Sequence, residues 1–197
     1  SPVVYASRYL ECRRDRRLIG SFIHGSMANA VPQAIGAQLA QPERQVVTLS
    51  GDGGLAMLMG ELLTVRQHDL PIKIVVLNNS SLNFVELEMK AAGLPDFGTD
   101  LHNPDFAAMA RAMGVKGIRV EASDDVDAAL MEAFAHPGPA LVEDHVYFDP
   151  PPGVPVWDAD AAVHRLYGPG GAGAAAVAAL APEAVSAGGV DRDRLRA

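Results

Sequence analysis

Apolar positions along the chain change spacing from one stretch to the next. Gln45-Val46-Val47-Thr48-Leu49 and Ile72 to Leu77 are apolar runs of strand length. Between them Leu55, Leu58, Met59, Leu62 and Leu63 recur at helical spacing up to Gln67-His68-Asp69, which predicts strand, helix, parallel strand. Upstream, Val3, Val4, Ala6, Ser7 and Leu10 fit a short helix, and Asp15 to Phe22 reads as an apolar strand ending near Ser21. Asn29 can cap a following helix that carries Pro32 in its first turn and Ile35, Ala37, Leu39 and Ala40 as far as Pro42. Downstream, Asn103-Pro104-Asp105 combines a cap, a first-turn proline and an early acid; Phe106, Met109, Ala110 and Met113 follow at core spacing, and Gly114 is the stop. Gly117 to Val120 predicts a strand, Ser123 opens a helix through Val126, Leu130 and Phe134, and Ala140-Leu141-Val142 begins the last strand. Five parallel strands with interleaved helices are expected, in an α/β doubly wound, mainly parallel sheet with helices on both faces.

From Pro150 the pattern is lost. Pro150-Pro151-Pro152-Gly153-Val154-Pro155 breaks regular structure, and residues 168 to 189 are dominated by alanine and glycine. A domain at 1–149 and a Pro/Ala/Gly-rich extension at 150–197 are expected, with Ala172 to Leu180 either a helix or a mobile, partner-dependent segment. With 49% hydrophobic residues in 197, the core can be sizeable. A formal net charge of -8 argues against a nucleic-acid partner; Arg13, Arg14, Arg16 and Arg17 form a local basic cluster that reads as a solvated loop or a phosphate or lipid patch. The single cysteine, Cys12, fits a reducing compartment, and no run of about 18 apolar residues marks a membrane span. A cytoplasmic protein is expected, with the inner membrane face as a peripheral alternative. Since the chain opens on Ser1-Pro2 in a helix-like segment, it is expected to be the C-terminal piece of a longer polypeptide.

A parallel crossover returns the chain to the same end of the sheet, so Asp52 and Asn79, 27 residues apart, both fall just past the carboxyl ends of strands. Mg²⁺ takes hard oxygen ligands, one or two from protein and the rest from phosphates and water. Asp52 supplies a charged oxygen and Asn79 an amide oxygen. Gly51, Gly53 and Gly54 allow a close backbone approach to a phosphate, so a diphosphate bridged by Mg²⁺ fits the pattern. Each element alone also reads as a common turn.

Gly51-Asp52-Gly53 followed by Asn78-Asn79 resembles the thiamine diphosphate signature of the family containing pyruvate oxidase, acetolactate synthase and benzoylformate decarboxylase. His24 to Ala30, Gln41 to Val47, Met57-Leu58-Met59-Gly60 and Met89-Lys90-Ala91 are similar to the flavin-linked pyruvate oxidase type, bacterial pyruvate dehydrogenase (quinone), over roughly residues 1 to 147. The resemblance implies a thiamine diphosphate-binding fold. It places Gly25 and Ser26 near the cofactor, with Met27 as the residue wedged beneath the thiazolium; the alternative for Met27 is a core gap-filler. His24 is a diphosphate or substrate contact, or a hydrogen-bonded structural residue. Asp52, Asn79 and the backbone carbonyl of Ser81 are implied as metal ligands. Gly53, Gly54, Ser80, Leu82, Asn83 and Phe84 are implied around the cofactor. Phe84 matches an aromatic that moves toward the reaction centre, or else packs in the core. Asn83 stands where the family has glycine, which a left-handed backbone there would tolerate. Glu86 and Glu88, two apart, cannot share a helix face and are expected to be solvated.

No catalytic residue is assigned within this chain. The resemblance implies that the glutamate activating the cofactor lies in an N-terminal domain of a neighbouring subunit and that FAD binds a middle domain. The expected function is therefore that of the thiamine diphosphate- and Mg²⁺-binding part of a 2-keto acid decarboxylating oxidoreductase acting on pyruvate. Such a protein would be a homo-oligomer with shared sites, and this part would be inactive alone. The alternatives are an acetolactate synthase-like carboligase and, in another class, a non-catalytic cofactor-binding or oligomerisation module.

Overall fold

The computed structural model describes residues 2–13, 15–145, 185–186 and 189–190. The chain divides into two compact units, Ser1–Phe148 and Asp149–Ala197. In the first, helix α1 (Pro2–Tyr9) is followed by a 3₁₀ turn (Met27–Asn29), α2 (Ala30–Ala40), β1 (Val47–Gly51), α3 (Asp52–Met57), α4 (Glu61–Gln67), β2 (Lys73–Asn78) and α5 (Asn83–Ala91). Then come α6 (Phe106–Ala112), β3 (Lys116–Val120), a 3₁₀ turn (Ser123–Asp125), α7 (Val126–Ala135) and β4 (Ala140–His145). In the second unit, β5 (Val185–Ser186) and β6 (Gly189–Val190) pair antiparallel; the segment Ala172 to Leu180 lies outside the described residues.

The four long strands are all parallel, in the order β1-β2-β4-β3. Because side chains alternate across a strand, each strand feeds two cores. Ile74, Val76 and Leu141 point to the face where Val31 and Ala34 of α2, Leu55, Leu62 and Val65 of α3 and α4, and Phe106, Ala107 and Ala110 of α6 are buried. Ala140, Val142 and Val120 point to the other face, against Ala129 and Ala133 of α7. Helices cover both faces, so the sheet is doubly wound as expected. Full burial of a side chain such as Leu62 or Ile74 contributes about 1.5–3 kcal/mol.

Two buried polar side chains fix the opposite, amino-terminal end of the sheet. Gln38 donates from Nε2 to the carbonyls of Gln41, Pro42 and Arg44, at 3.3, 3.0 and 3.0 Å, which anchors the loop into β1. Lys73 donates from Nζ to the carbonyls of His136 and Gly138, at 2.7 and 2.6 Å, which anchors the loop into β4. Burial and the nearby Lys116 charge push the Lys73 ammonium below its ordinary pKa.

Several expectations need correction. Four long parallel strands are present among the described residues, not five, because Asp15 to Phe22 forms none: Gly20 interrupts the run, Ile19 and Phe22 are exposed, and the pairing there is one isolated bridge between Arg13 and Arg16. The single helix expected from Leu55 to Gln67 is two, separated at Leu58, whose φ of -133° leaves the helical region. Asn29 makes no side-chain cap; its Nδ2 donates to the Ser26 carbonyl. Asp105, not Asn103, caps α6, its Oδ1 accepting from the Ala108 N–H at 2.6 Å. On α7 the buried stripe is Ala129 and Ala133, and Phe134 is exposed.

Candidate cofactor and metal site

The register Gly51↔Leu77 sets the carboxyl ends of β1 and β2 side by side. Asp52, the first residue of α3, follows β1 directly and is 3% exposed. Its Oδ1 accepts the Gly53 N–H at 2.9 Å and its Oδ2 accepts Asn103 Nδ2 at 2.7 Å. Asn103 Nδ2 also donates to Oδ1 of Asn78, the last residue of β2, at 2.9 Å. Asn78 Nδ2 donates in turn to Glu143 Oε1 on β4 at 2.8 Å. Glu143 is fully buried, and its Oε2 accepts the Ala107 N–H of α6 at 2.9 Å. A polar chain therefore runs across the carboxyl ends of β1, β2 and β4. Buried carboxylates demand such partners, since an unpaired one would cost several kcal/mol.

The loop after β2 is held from both sides. Ser80 takes the left-handed conformation at φ 53°, and its N–H donates to Asn78 Oδ1 at 3.1 Å. Asn79 Oδ1 accepts the Ser81 N–H at 3.3 Å, a local turn typical of asparagine. Ser81 donates from Oγ to Glu86 Oε2 at 3.1 Å, and Lys90 donates to Glu86 Oε1 at 2.6 Å. The Lys90 ammonium holds the Glu86 carboxyl below its ordinary range. Across the loop, the Leu101 N–H donates to the Ser80 carbonyl at 2.8 Å and the Leu82 N–H to the Thr99 carbonyl at 2.7 Å. Two corrections follow. The left-handed residue is Ser80, while Asn83 simply begins α5, where no glycine is required. Glu86 is a half-buried staple of the loop, whereas Glu88 is exposed as expected.

The upstream loop closes over the glycines. Gly25, at φ 63°, donates its N–H to the Ser21 carbonyl at 2.8 Å, and the Ser26 N–H donates to Ser21 Oγ at 3.2 Å. Met27 then lies on α3 so closely that a Cβ at Gly54 would stand 2.4 Å from the Met27 carbonyl oxygen; no side chain fits there. A Cβ at Gly53 would meet Leu82 Cδ2 at 2.9 Å, Leu101 Cδ1 at 3.3 Å and Met27 Cε at 3.4 Å. Met27, Leu82 and Leu101 thus converge on Gly53, and Met27 remains 44% exposed, on the surface of the site and not inside the core.

Of the residues singled out from sequence, the fold gathers Met27, Asp52, Gly53, Gly54 and Leu82 into contact, with Gly25, Ser26, Asn79, Ser80 and Ser81 on the two flanking loops. Asn83 and Phe84 stand at the start of α5, where Phe84 is 54% exposed and not part of the core. His24 is exposed. Leu101 and Glu143 were missed, Asn103 was read only as a helix cap, and Asn78 was named in the signature without a role of its own. Glu143, an acid directly after the apolar run Ala140-Leu141-Val142, and the spare cap-type residue in Asn103-Pro104-Asp105 were the available signals.

Among the described residues no cluster of three or more His, Cys, Asp or Glu could hold a metal. The oxygens that the loops after β1 and β2 offer are the Asp52 carboxylate, the Asn79 amide oxygen and backbone carbonyls. Such an all-oxygen, singly charged set suits Mg²⁺ completed by phosphate and water, and does not suit zinc or copper. The oxygen of Asn79 keeps a second lone pair beyond its Ser81 bond, so it too can serve.

The family model described as "Thiamine pyrophosphate enzyme, C-terminal TPP binding domain" matches residues 1–143. The chain belongs to this family. It is 36% identical over 148 residues to the Bacillus subtilis (strain 168) "Putative thiamine pyrophosphate-containing protein YdaP", covering 75% of this chain and 26% of that one. It is likewise 36% identical over 148 residues to the acetolactate synthase isozyme 2 large subunit of Escherichia coli (strain K12), covering 74% of this chain and 27% of the relative. Among solved structures, the thiamine diphosphate-dependent 4-hydroxybenzoylformate decarboxylase of Rhodococcus jostii RHA1 matches with a TM-score of 0.57 and 34% identity, over 61% of this chain and 23% of that one. This thiamine pyrophosphate-binding domain therefore spans about a quarter of the length of the curated relatives it matches.

Proposed function

We propose that the chain is the cofactor-binding part of a thiamine diphosphate-dependent enzyme that decarboxylates a 2-keto acid, with pyruvate as substrate. The observation that carries the reading is the buried Asp52 carboxylate at the adjoining ends of β1 and β2, held by the neutral Gly53 N–H and Asn103 amide, which leave its charge for a cation. Asp52, Asn79 and the Ser81 carbonyl would hold Mg²⁺ against the diphosphate. The cofactor, when bound, supplies the nucleophile that adds to the keto group and the sink for the electron pair left by decarboxylation. This chain's residues do the rest of the local work. Gly53 and Gly54 would let the backbone approach the diphosphate, while Met27, Leu82 and Leu101, which converge on Gly53, would give the cofactor an apolar wall.

The finer reading is a pyruvate oxidoreductase with FAD bound in the remainder of the protein, supported by the likeness of Met57 to Gly60 and Met89 to Ala91 to that enzyme type. The E. coli acetolactate synthase likeness supports a second reading, in which another 2-keto acid captures the two-carbon unit. Exposed Leu87, Leu94 and Phe97 support a homo-oligomer whose remaining parts cover them. A cytoplasmic site, with or without peripheral membrane contact, accompanies either reading, and the net charge of -8 supports no nucleic-acid partner.

The deciding experiment is calorimetric titration of thiamine diphosphate into the full-length protein with and without Mg²⁺. Binding should require Mg²⁺. Asp52→Ala should abolish that requirement along with most of the affinity, and Asn79→Ala, which removes a neutral ligand, should do less. Metal-independent binding unchanged in Asp52→Ala would overturn the reading. Product analysis with pyruvate then separates the two finer readings: acceptor reduction marks the oxidoreductase, acetolactate the carboligase, and no carbon dioxide release at all marks a non-catalytic module.

A further inference from the structure

We propose that Asn103 is a positioning residue for the Asp52 carboxylate and so sets the Mg²⁺ affinity of the site, an inference that rests on the metal reading above. A carboxylate on a short side chain can rotate about its Cβ–Cγ bond, and a rotating ligand loses affinity for an octahedral ion that demands near-ideal geometry. Asp52 is fixed at both oxygens. Gly53 N–H takes Oδ1 at 2.9 Å and Asn103 Nδ2 takes Oδ2 at 2.7 Å, and each oxygen keeps a lone pair for a cation.

Asn103 is itself over-determined. Its Nδ2 has two hydrogens, and both are spent, one on Asp52 and one on Asn78 Oδ1 at 2.9 Å, so the amide ties the end of β1 to the end of β2. Asn78 cannot yield, because its own amide is held by the fully buried Glu143. Just before Asn103, Leu101 N–H is bound to the Ser80 carbonyl; just after it, Asp105 caps α6. The donor chemistry matters as much as the rigidity. A neutral amide orients the Asp52 carboxylate without neutralising it, whereas a lysine or arginine at this place would compete with the cation for the same charge. Partners of metal ligands of this kind commonly change metal affinity by about 10–100-fold when removed.

The test is the Mg²⁺ concentration giving half-maximal thiamine diphosphate binding, measured by titration calorimetry on the full-length protein, beside apo-protein thermal unfolding. Asn103→Leu keeps the size and removes both donors; Asn103→Ser keeps one shorter donor. The half-saturating Mg²⁺ concentration should rise about tenfold or more in Asn103→Leu and by less in Asn103→Ser, while binding at saturating Mg²⁺ recovers in both. A purely structural role would lower the unfolding midpoint and leave the Mg²⁺ dependence in place. An unchanged half-saturation in the variants, with wild type Mg²⁺-dependent and Asp52→Ala defective, would overturn the role of Asn103 alone. Wild-type binding that ignores Mg²⁺ would overturn the metal reading and this inference with it.

Discussion

Asn103 and Asp105 stand two residues apart and face different demands. Asp105 accepts the Ala108 N–H, an unpaired donor of the first turn of α6, and lies 3.3 Å from Arg119. The Ala108 N–H, aided by Arg119, holds its carboxyl below the ordinary carboxylate range. Asp105→Ala should therefore cost about 1 kcal/mol of stability at neutral pH, measured by urea unfolding. The sign of its pH dependence follows from the direction of the shift. With the folded pKa depressed, the contribution is present above the unfolded value of about 3.9 and is lost as pH falls through the folded pKa. Wild type and Asp105→Ala should then converge in acid; a gap that widens toward low pH would refute this account. Asn-Pro-Asp announces a helix start in sequence, but which of its two polar residues serves as cap is settled by contact with Asp52, 51 positions away, and no local pattern carries that information.

At the scale of elements, β2, β3, β4, α2 and α6 were legible because each is an apolar run or stripe bounded by proline, glycine or a cap. The break between α3 and α4 was not, since Leu58 and Met59 still match helical spacing although the backbone leaves the helix at Leu58. The failure of Asp15 to Phe22 to form a strand was legible only in part, since Gly20 breaks the run in the sequence but strand pairing also depends on a neighbour. Close approach between elements is equally invisible in a pattern. Gly117 on β3 lies under α6 so tightly that a Cβ there would be 2.0 Å from the Ala107 carbonyl oxygen, a backbone atom that cannot swing aside. Gly117→Ala should destabilise by about 1–3 kcal/mol in chemical unfolding. Because the Ala107 N–H also binds Glu143, the same variant should weaken thiamine diphosphate binding, an effect that a matched loss at an exposed position such as Leu63 would not produce. Equal binding in the two would disconnect α6 from the site.

For the whole molecule, what the site lacks is as informative as what it gathers. Its two buried carboxylates are committed: Asp52 to Gly53 and Asn103, Glu143 to Asn78 and Ala107. Glu86 is held by Ser81 and Lys90, and His24 is exposed on its loop. Three of these four groups are thus engaged by neighbours, whereas general acid–base catalysis requires a group free to reach the cofactor within hydrogen-bond distance. Ile23 is 93% and Phe97 84% exposed, leaving apolar side chains that a further part of the protein would cover. Both features are met if the missing proton carrier and the missing cover come from parts of the protein outside this chain. The isolated chain supplied with thiamine diphosphate, Mg²⁺ and pyruvate should therefore release no carbon dioxide above the rate without protein, whereas the full-length protein should turn over as an oligomer. Steady carbon dioxide release from the isolated chain would show that the proton carrier lies within these 197 residues after all, and full activity in a full-length monomer defined by light scattering would show that the active site is not shared between subunits.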